Sequence, residues 1–289
     1  MKTMALLKQD KGLTLVELLI VVAISGIIFA AMSAAFQAQQ RHANSQMQVL
    51  DIQQNSRAAL DLMVNEIRMA GYDPTFTKLF GITDISFRNL DNNLDANGNS
   101  AITFTADMDE TANPANQIYA YSLFDFNEGT PDVASRDLGR ATNGGGPMLL
   151  AENIAVLGLA YAYDADGDGN LDTMGGNTIW GIDQNNDNTW DNLDTDNDGD
   201  IDAADAGGAT NAVINAMPTG TAINFSDIRM VRIWLLARSD RREPGFVDQQ
   251  TYVAGRQVIT PSGIADEQNN GGFRYRLLEA TVVCRNLGL

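Results

Sequence analysis

The residues whose types and spacing could do chemistry are aspartates. Between residues 164 and 205 there are 13 Asp and no Lys, Arg, Glu or His. Asp164, Asp166, Asp168 and Asp172 stand at positions 1, 3, 5 and 9 of a loop whose sixth residue is Gly169. Asp194, Asp196, Asp198 and Asp202 repeat that register with Gly199 sixth, and Asp205 is added at position 12. A hard cation such as Ca²⁺ takes six to eight oxygens, and alternate residues of a tight glycine-containing loop can turn their carboxylates inward. Position 7, Asn170 or Asp200, would add a backbone carbonyl. Asp183, Asn185, Asp187 and Asp191 form a weaker third copy, with Asn188 in the glycine's place. The first loop has Gly175 at position 12, so a neighbouring loop or water would have to complete its oxygen set. The competing reading is a solvated acidic loop made of Asx turns. Two matched registers without a local cation favour Ca²⁺, with Asp164, Asp166, Asp168, Asn170 and Asp172 of the first loop and Asp194, Asp196, Asp198, Asp200, Asp202 and Asp205 of the second as its ligands.

A second acid stands in an unusual place. Residues 13–36 form an apolar run in which only Thr14, Glu17, Ser25 and Ser33 are polar. Its 24 residues would span roughly 36 Å as a helix, enough for a bilayer core of about 30 Å. A carboxylate inside that core costs about 2.5–3.5 kcal/mol on the lenient insertion scale, so Glu17 needs a reason. Lys2, Lys8 and Lys11 against Asp10 make the leader net positive, which keeps it cytoplasmic. A secretory signal has a shorter apolar core and a cleavage site after it. A plain signal anchor would explain the length but not Glu17.

Other chemistries find little support. The net charge of -18 argues against nucleic acid, although with the 13 loop aspartates set aside 24 acids face 19 bases. His42 is the one histidine and sits in a polar helical context, and no Ser/His/Asp or Cys/His set can be assembled. A Gly/Asn/Asp loop does not give two carboxylates the contrasting environments that acid–base catalysis needs, so the chain does not read as an enzyme. Cys284 is the one cysteine and reads as a small buried hydrophobe.

The elements that must position these groups follow from periodicity. No proline precedes Pro74, and Gly71 offers a stop, so one helix is expected over residues 13–70. Its apolar half is 13–36 and its amphipathic half 37–70, where Ala43, Met47 and Leu50, then Leu60, Met63, Val64 and Ile67, recur at helical spacing and should pack on a core. Gly26 would serve close helix packing or local unwinding. Residues 84–88, 101–105, 117–121, 154–163, 228–237 and 275–284 read as strands. Residues 89–100, 136–146 and 264–272 read as Gly/Asn-rich connections. The expected fold class is α+β: a long N-terminal helix packed on an antiparallel β-sheet, with an acidic calcium-loop insert at 164–205 in a head of residues 71–289.

Gly12-Leu13-Thr14-Leu15-Val16-Glu17 resembles the prepilin signal of type IV pilins and type II secretion pseudopilins. The resemblance implies a leader of residues 1–12, cleavage between Gly12 and Leu13 by a prepilin peptidase, and N-methylation of Leu13, although Phe is commoner there. Glu17 would neutralise a neighbouring subunit's terminal amine, which suits the cost of a buried unpaired charge. The acidic loops resemble EF-hand-like and dockerin-type calcium loops without their position-12 Glu. Leu149 through Ile154, Val231 through Arg238, Arg274 through Arg276 and Arg285 through Gly288 resemble PilW-like minor pilins. Those subunits are implied to prime or cap a type IV pilus. They would move from the bacterial inner membrane, leader in the cytoplasm and head in the periplasm, into the surface filament. Implied partners are major and minor pilins through the helix, the peptidase and the inner-membrane assembly platform. Two other readings are a minor pseudopilin of type II secretion, and a calcium-dependent tip adhesin presenting Tyr119, Trp180 or Trp190.

Overall fold

The computed structural model describes residues 14–86, 99–108, 110, 113–124, 136–263 and 272–287. Gly12, Leu13, Phe87, Arg88 and most of the expected connections at 89–100 and 264–272 lie outside the described residues. Two compact units divide at Met47/Gln48.

In the first unit, α1 (Leu15–Arg68) begins. The helix runs unbroken through Gly26, where no atom lies within 4 Å of an added Cβ. Leu15, Val16, Leu18, Ile27, Phe29 and Phe36 are exposed, the last to 60%, so this apolar surface is not a core of the chain's own.

The second unit starts with the end of α1. Ile52, Ser56, Ala59, Leu60, Met63 and Ile67 are buried at spacings of three and four, one face of a helix. Ala43, Met47 and Leu50, expected on that face, are exposed, because the packed stripe begins only at Ile52. Gly71 closes the helix in the left-handed region (φ +77°) and its N–H donates to the Thr105 carbonyl at 3.0 Å. A Cβ there would also stand 2.6 Å from Leu287 Cδ2, which would have to shift.

The strands in chain order are β1 (Ile82–Asp84), β2 (Ile102–Thr105), β3 (Ile118–Phe124), β4 (Arg136–Thr142), β5 (Met148–Tyr163), β6 (Thr173–Met174), β7 (Asn177–Thr178) and β8 (Gly181–Ile182). They continue with β9 (Thr189–Asn192), β10 (Ala212–Val213), β11 (Met217–Ala222), β12 (Ile228–Arg238), β13 (Tyr252–Ala254), β14 (Gln257–Ile259) and β15 (Tyr275–Val283). One antiparallel sheet of ten strands runs β1-β2-β3-β4-β5-β8-β9-β11, and β12 joins β5 to β15. The stretch 136–146, expected as a connection, contains β4. Its Gly and Asn are confined to Gly139 and the turn from Asn143 onward, while Arg136 to Thr142 pair with β3 and β5.

The central pair explains the mixed alternation of 154–163. Leu157, Leu159 and Tyr161 of β5, opposite Leu235, Ile233 and Val231 of β12, share a core with α1. Val156, Ala160, Trp234 and Leu236 face the other way, toward Ile182, Leu193, Ile214 and the small sheet β10-β14-β13. Both faces are covered, so neither reads as polar. Helix and sheet are locked by Glu66, which receives Arg140 Nη2 at 2.6 Å and Nε at 2.9 Å, and the Tyr121 hydroxyl.

Candidate functional site

The three loops of the acidic segment follow the ends of β5, β8 and β9 and share one backbone path. Positions 4 and 6 of each have positive φ: Gly167 and Gly169, Asn186 and Asn188, Asn197 and Gly199. Asn tolerates this region better than other side chains, so Asn188 closes the third loop as glycine closes the others. The position-1 carboxylate then caps the turn with both oxygens. Asp164 accepts from the Gly167 and Gly169 N–H groups at 2.8 and 3.2 Å. Asp183 accepts from Asp187 and Asn188 at 3.1 and 3.3 Å, and Asp194 from Asp198 and Gly199 at 3.2 and 3.0 Å.

Positions 3 and 5 each accept from the N–H two residues on. Asp166, Asn185 and Asp196 do so at 3.1, 3.2 and 3.3 Å. Asp168, Asp187 and Asp198 do so at 2.7, 2.9 and 2.9 Å. Position 9 returns to the start of its loop: Asp172 accepts from Ala165 N–H and Asp191 from Gln184 N–H. In the second loop Asp205 takes that role, accepting from Thr195 and Asp202, while Asp202 accepts from Ala204.

Carboxylates are thereby crowded together. One oxygen from each of Asp164, Asp166 and Asp172 lies within 4.8 Å of the others, and so does one from each of Asp194, Asp196 and Asp198. These clusters could hold a metal ion. Asp168, Asn170, Asp200, Asp202 and Asp205 stay outside the two triplets, and Asn170 and Asp200 meet their loops through N–H donors. Burial pushes the carboxyls of Asp172, Asp183, Asp191 and Asp194 above the usual range. Nearby aspartates add to this, Asp166, Asp164 and Asp168 on Asp172 and Asp205 on Asp194. The Asn170 backbone N–H, helped by the Asn170 side chain, holds exposed Asp168 below it. The fold supplies one cation that the segment lacks: Arg229 Nη2, at the start of β12, is 3.6 Å from Asp164 Oδ2.

Glu17 is the third residue of α1, and its geometry is a cap. Its Oε2 accepts from Thr14 N–H and Thr14 Oγ1, each at 2.9 Å, and Glu17 N–H donates to Thr14 Oγ1 at 3.3 Å. That is a reciprocal capping box, and its Thr-x-x-Glu signature is legible in the sequence.

The aromatic residues offered for surface contact are placed otherwise. Trp190 is fully buried, stacked on Tyr163 with ring centroids 4.9 Å apart, in a slot kept open by Gly181, so it cannot be presented to a surface. Trp180 is half-buried beneath the Arg232 guanidinium, and Tyr119 lies half-buried between Phe104 and Arg140.

Comparison with known proteins gives two family matches. The family described as Type IV Pilus-assembly protein W matches residues 120–286, and the Prokaryotic N-terminal methylation motif matches residues 7–33. No curated protein matches the chain. Among solved structures, the type IV-like pilin TTHA1219 from Thermus thermophilus is similar at 12% identity over 82% of this chain and 98% of that one, with a TM-score of 0.37.

Proposed function

The chain belongs to the Type IV Pilus-assembly protein W family, and on that premise we propose that it is a minor pilin which primes or caps assembly of a type IV pilus. Membership implies contact with other pilins, and the methylation motif with its apolar helix fits a subunit anchored in the inner membrane and then assembled into a pilus. The finer reading is that prepilin peptidase cuts between Gly12 and Leu13 and that Leu13 is methylated. The chain then leaves the bilayer through the assembly platform, with residues 13–36 entering the filament. The observation that carries this is the exposed apolar stretch of α1 beginning inside the matched motif, with Glu17 in its first turn. Oε2 is occupied by Thr14, and Oε1 is left to receive a partner's ammonium. Deleting the gene and counting filaments tests the priming role: pili should become sparse while those that remain are built of major pilin. Normal piliation would remove the role.

The acidic loops are read as Ca²⁺ sites. Their donors are all oxygens, which suits a hard cation and not zinc or copper. Burial has raised several carboxyls, and a cation beside them would favour their ionised form. Asp164, Asp166 and Asp172 would hold one ion and Asp194, Asp196 and Asp198 another, with Asp168, Asn170, Asp200, Asp202 and Asp205 contributing from their loops. The bound ion supplies charge neutralisation and cross-links the segment. The residues themselves already fix the loop path through their N–H bonds.

A further inference from the structure

The outer edge of β15 is open. β12 and β15 pair residue against residue from Met230↔Val283 to Arg238↔Tyr275 without a bulge, and beyond them Cys284 N–H donates to Arg229 O at 2.9 Å. Antiparallel strands alternate the side to which each residue's backbone groups point. With Cys284 turned to β12, so are Val282, Ala280, Leu278 and Arg276. The N–H and C=O groups of Val283, Thr281, Glu279 and Leu277 therefore point outward. Among the described residues nothing pairs with them.

The other edges are guarded. β1 has three residues, β10 two and β13 three, while β11 carries Pro218, Gly220 at φ +74° and an irregular register. Short strands, proline, bulges and charges are how sheets avoid pairing at an edge. β15 offers nine residues with no proline and no bulge, and its Glu279 is drawn back to Arg232 Nε at 2.5 Å. Leu278 and Ala280 pack on the α1-side core yet stay half-open, and Val283 on the opposite face is 44% exposed.

We infer that β15 receives an added β-strand from a different pilin subunit, an inference that rests on placement of the chain in a filament. A row of outward amides and carbonyls is satisfied by an extended backbone and by no helix or lipid tail. The half-covered Leu278 and Ala280 alternate with outer-face Glu279 and Thr281, so the incoming strand should be apolar toward the α1 side and polar on the other. A second copy of this chain is disfavoured by its own charge of -18.

Residue-resolved hydrogen exchange tests this on the full chain in detergent micelles and in sheared pili. In micelles the amides of 277, 279, 281 and 283 should exchange fast and those of 278, 280 and 282 slowly. In pili the outward set should slow by roughly tenfold or more. Unchanged fast exchange in pili that contain the chain's peptides overturns the inference and leaves the pilin reading standing. Absence of those peptides removes the pilin reading and the inference with it. Protection that rises with concentration in the purified chain assigns the edge to a second copy and overturns the stated occupant. Thr281→Pro removes one outward N–H and keeps the ladder to β12. It should melt like the parent yet enter filaments at a tenth or less of the level of Thr281→Ser, and equal entry overturns the inference.

Discussion

Replacing Glu66 by Ala removes the group on which α1 and the sheet converge. The carboxylate receives two N–H groups of Arg140 and the hydroxyl of Tyr121, a residue with no exposed surface. The charged side chains are 19% and 16% exposed, and the bidentate bond draws the Arg140 guanidinium further toward its charged form. Removing one partner of a fully buried pair costs about 3–5 kcal/mol because the other charge is stranded. The remaining exposure lets water reach Arg140, which reduces this to about 2–3 kcal/mol. For a unit of this size that is roughly 5–10 °C in Tm. Thermal unfolding of the full chain in detergent, followed by tryptophan fluorescence, reads it directly. Glu279→Ala is the comparison: its pair with Arg232 is 20% and 40% exposed, and about 0–1 kcal/mol is expected. If Glu66→Ala melts within a degree of Glu279→Ala, the clamp is not a determinant of the helix–sheet packing.

Glu17→Gln should keep the capping box, which accepts Gln at that position, while removing the charge. Cleavage should persist and filament entry should fall severalfold, whereas normal entry would make Glu17 a cap and nothing more. About 10 mM Ca²⁺, roughly 100 times a Kd of about 10⁻⁴ M, should add about 2.7 kcal/mol per site over EDTA, and Asp194→Asn should lose the second loop's share. Asp172, Asp183, Asp191 and Asp194 have raised folded pKa values. In the metal-free head they therefore favour folding below the usual Asp value of about 3.9 and lose that contribution as pH rises through their folded values. A cation needs the ionised forms, so the Ca²⁺ increment should shrink from pH 7 toward pH 4, and an increment constant over that range would refute carboxylate ligation. Burial pushes the Cys284 thiol from 9.0 to about 12, a raised value that favours folding below pH 9 and is lost above it. Maleimide should label Cys284 only on unfolding, and labelling of the native chain at neutral pH would contradict its burial.

Much of the fold was legible because its signals are long. The absence of proline before Pro74 and the Gly71 stop fixed a helix whose bounds, Leu15–Arg68, differ by two residues at each end from expectation. The strands at 154–163, 228–237 and 275–284 carried enough apolar residues to be seen. β4 was not, because Gly139 and the run Asn143 to Gly146 gave the stretch a loop's composition while its pairing with β3 and β5 is non-local. Strands of two to four residues such as β6 to β9 have too few positions to show a period. In the loops, register predicted the glycine turns, and the position-1 aspartates, expected as cation ligands, cap those turns with both oxygens. Register could not show that Arg229 arrives from a distant strand, or that Asp205 replaces the position-9 residue as the bridge back to its loop. Trp190 was misplaced because an aromatic in an acidic loop looks exposed until Tyr163 and Gly181 are brought against it.

Mass spectrometry of sheared pili should find a low-abundance chain whose N-terminal peptide begins at Leu13 and carries one added methyl group. A peptide retaining residues before Leu13, or filaments from which the chain is missing, would contradict it.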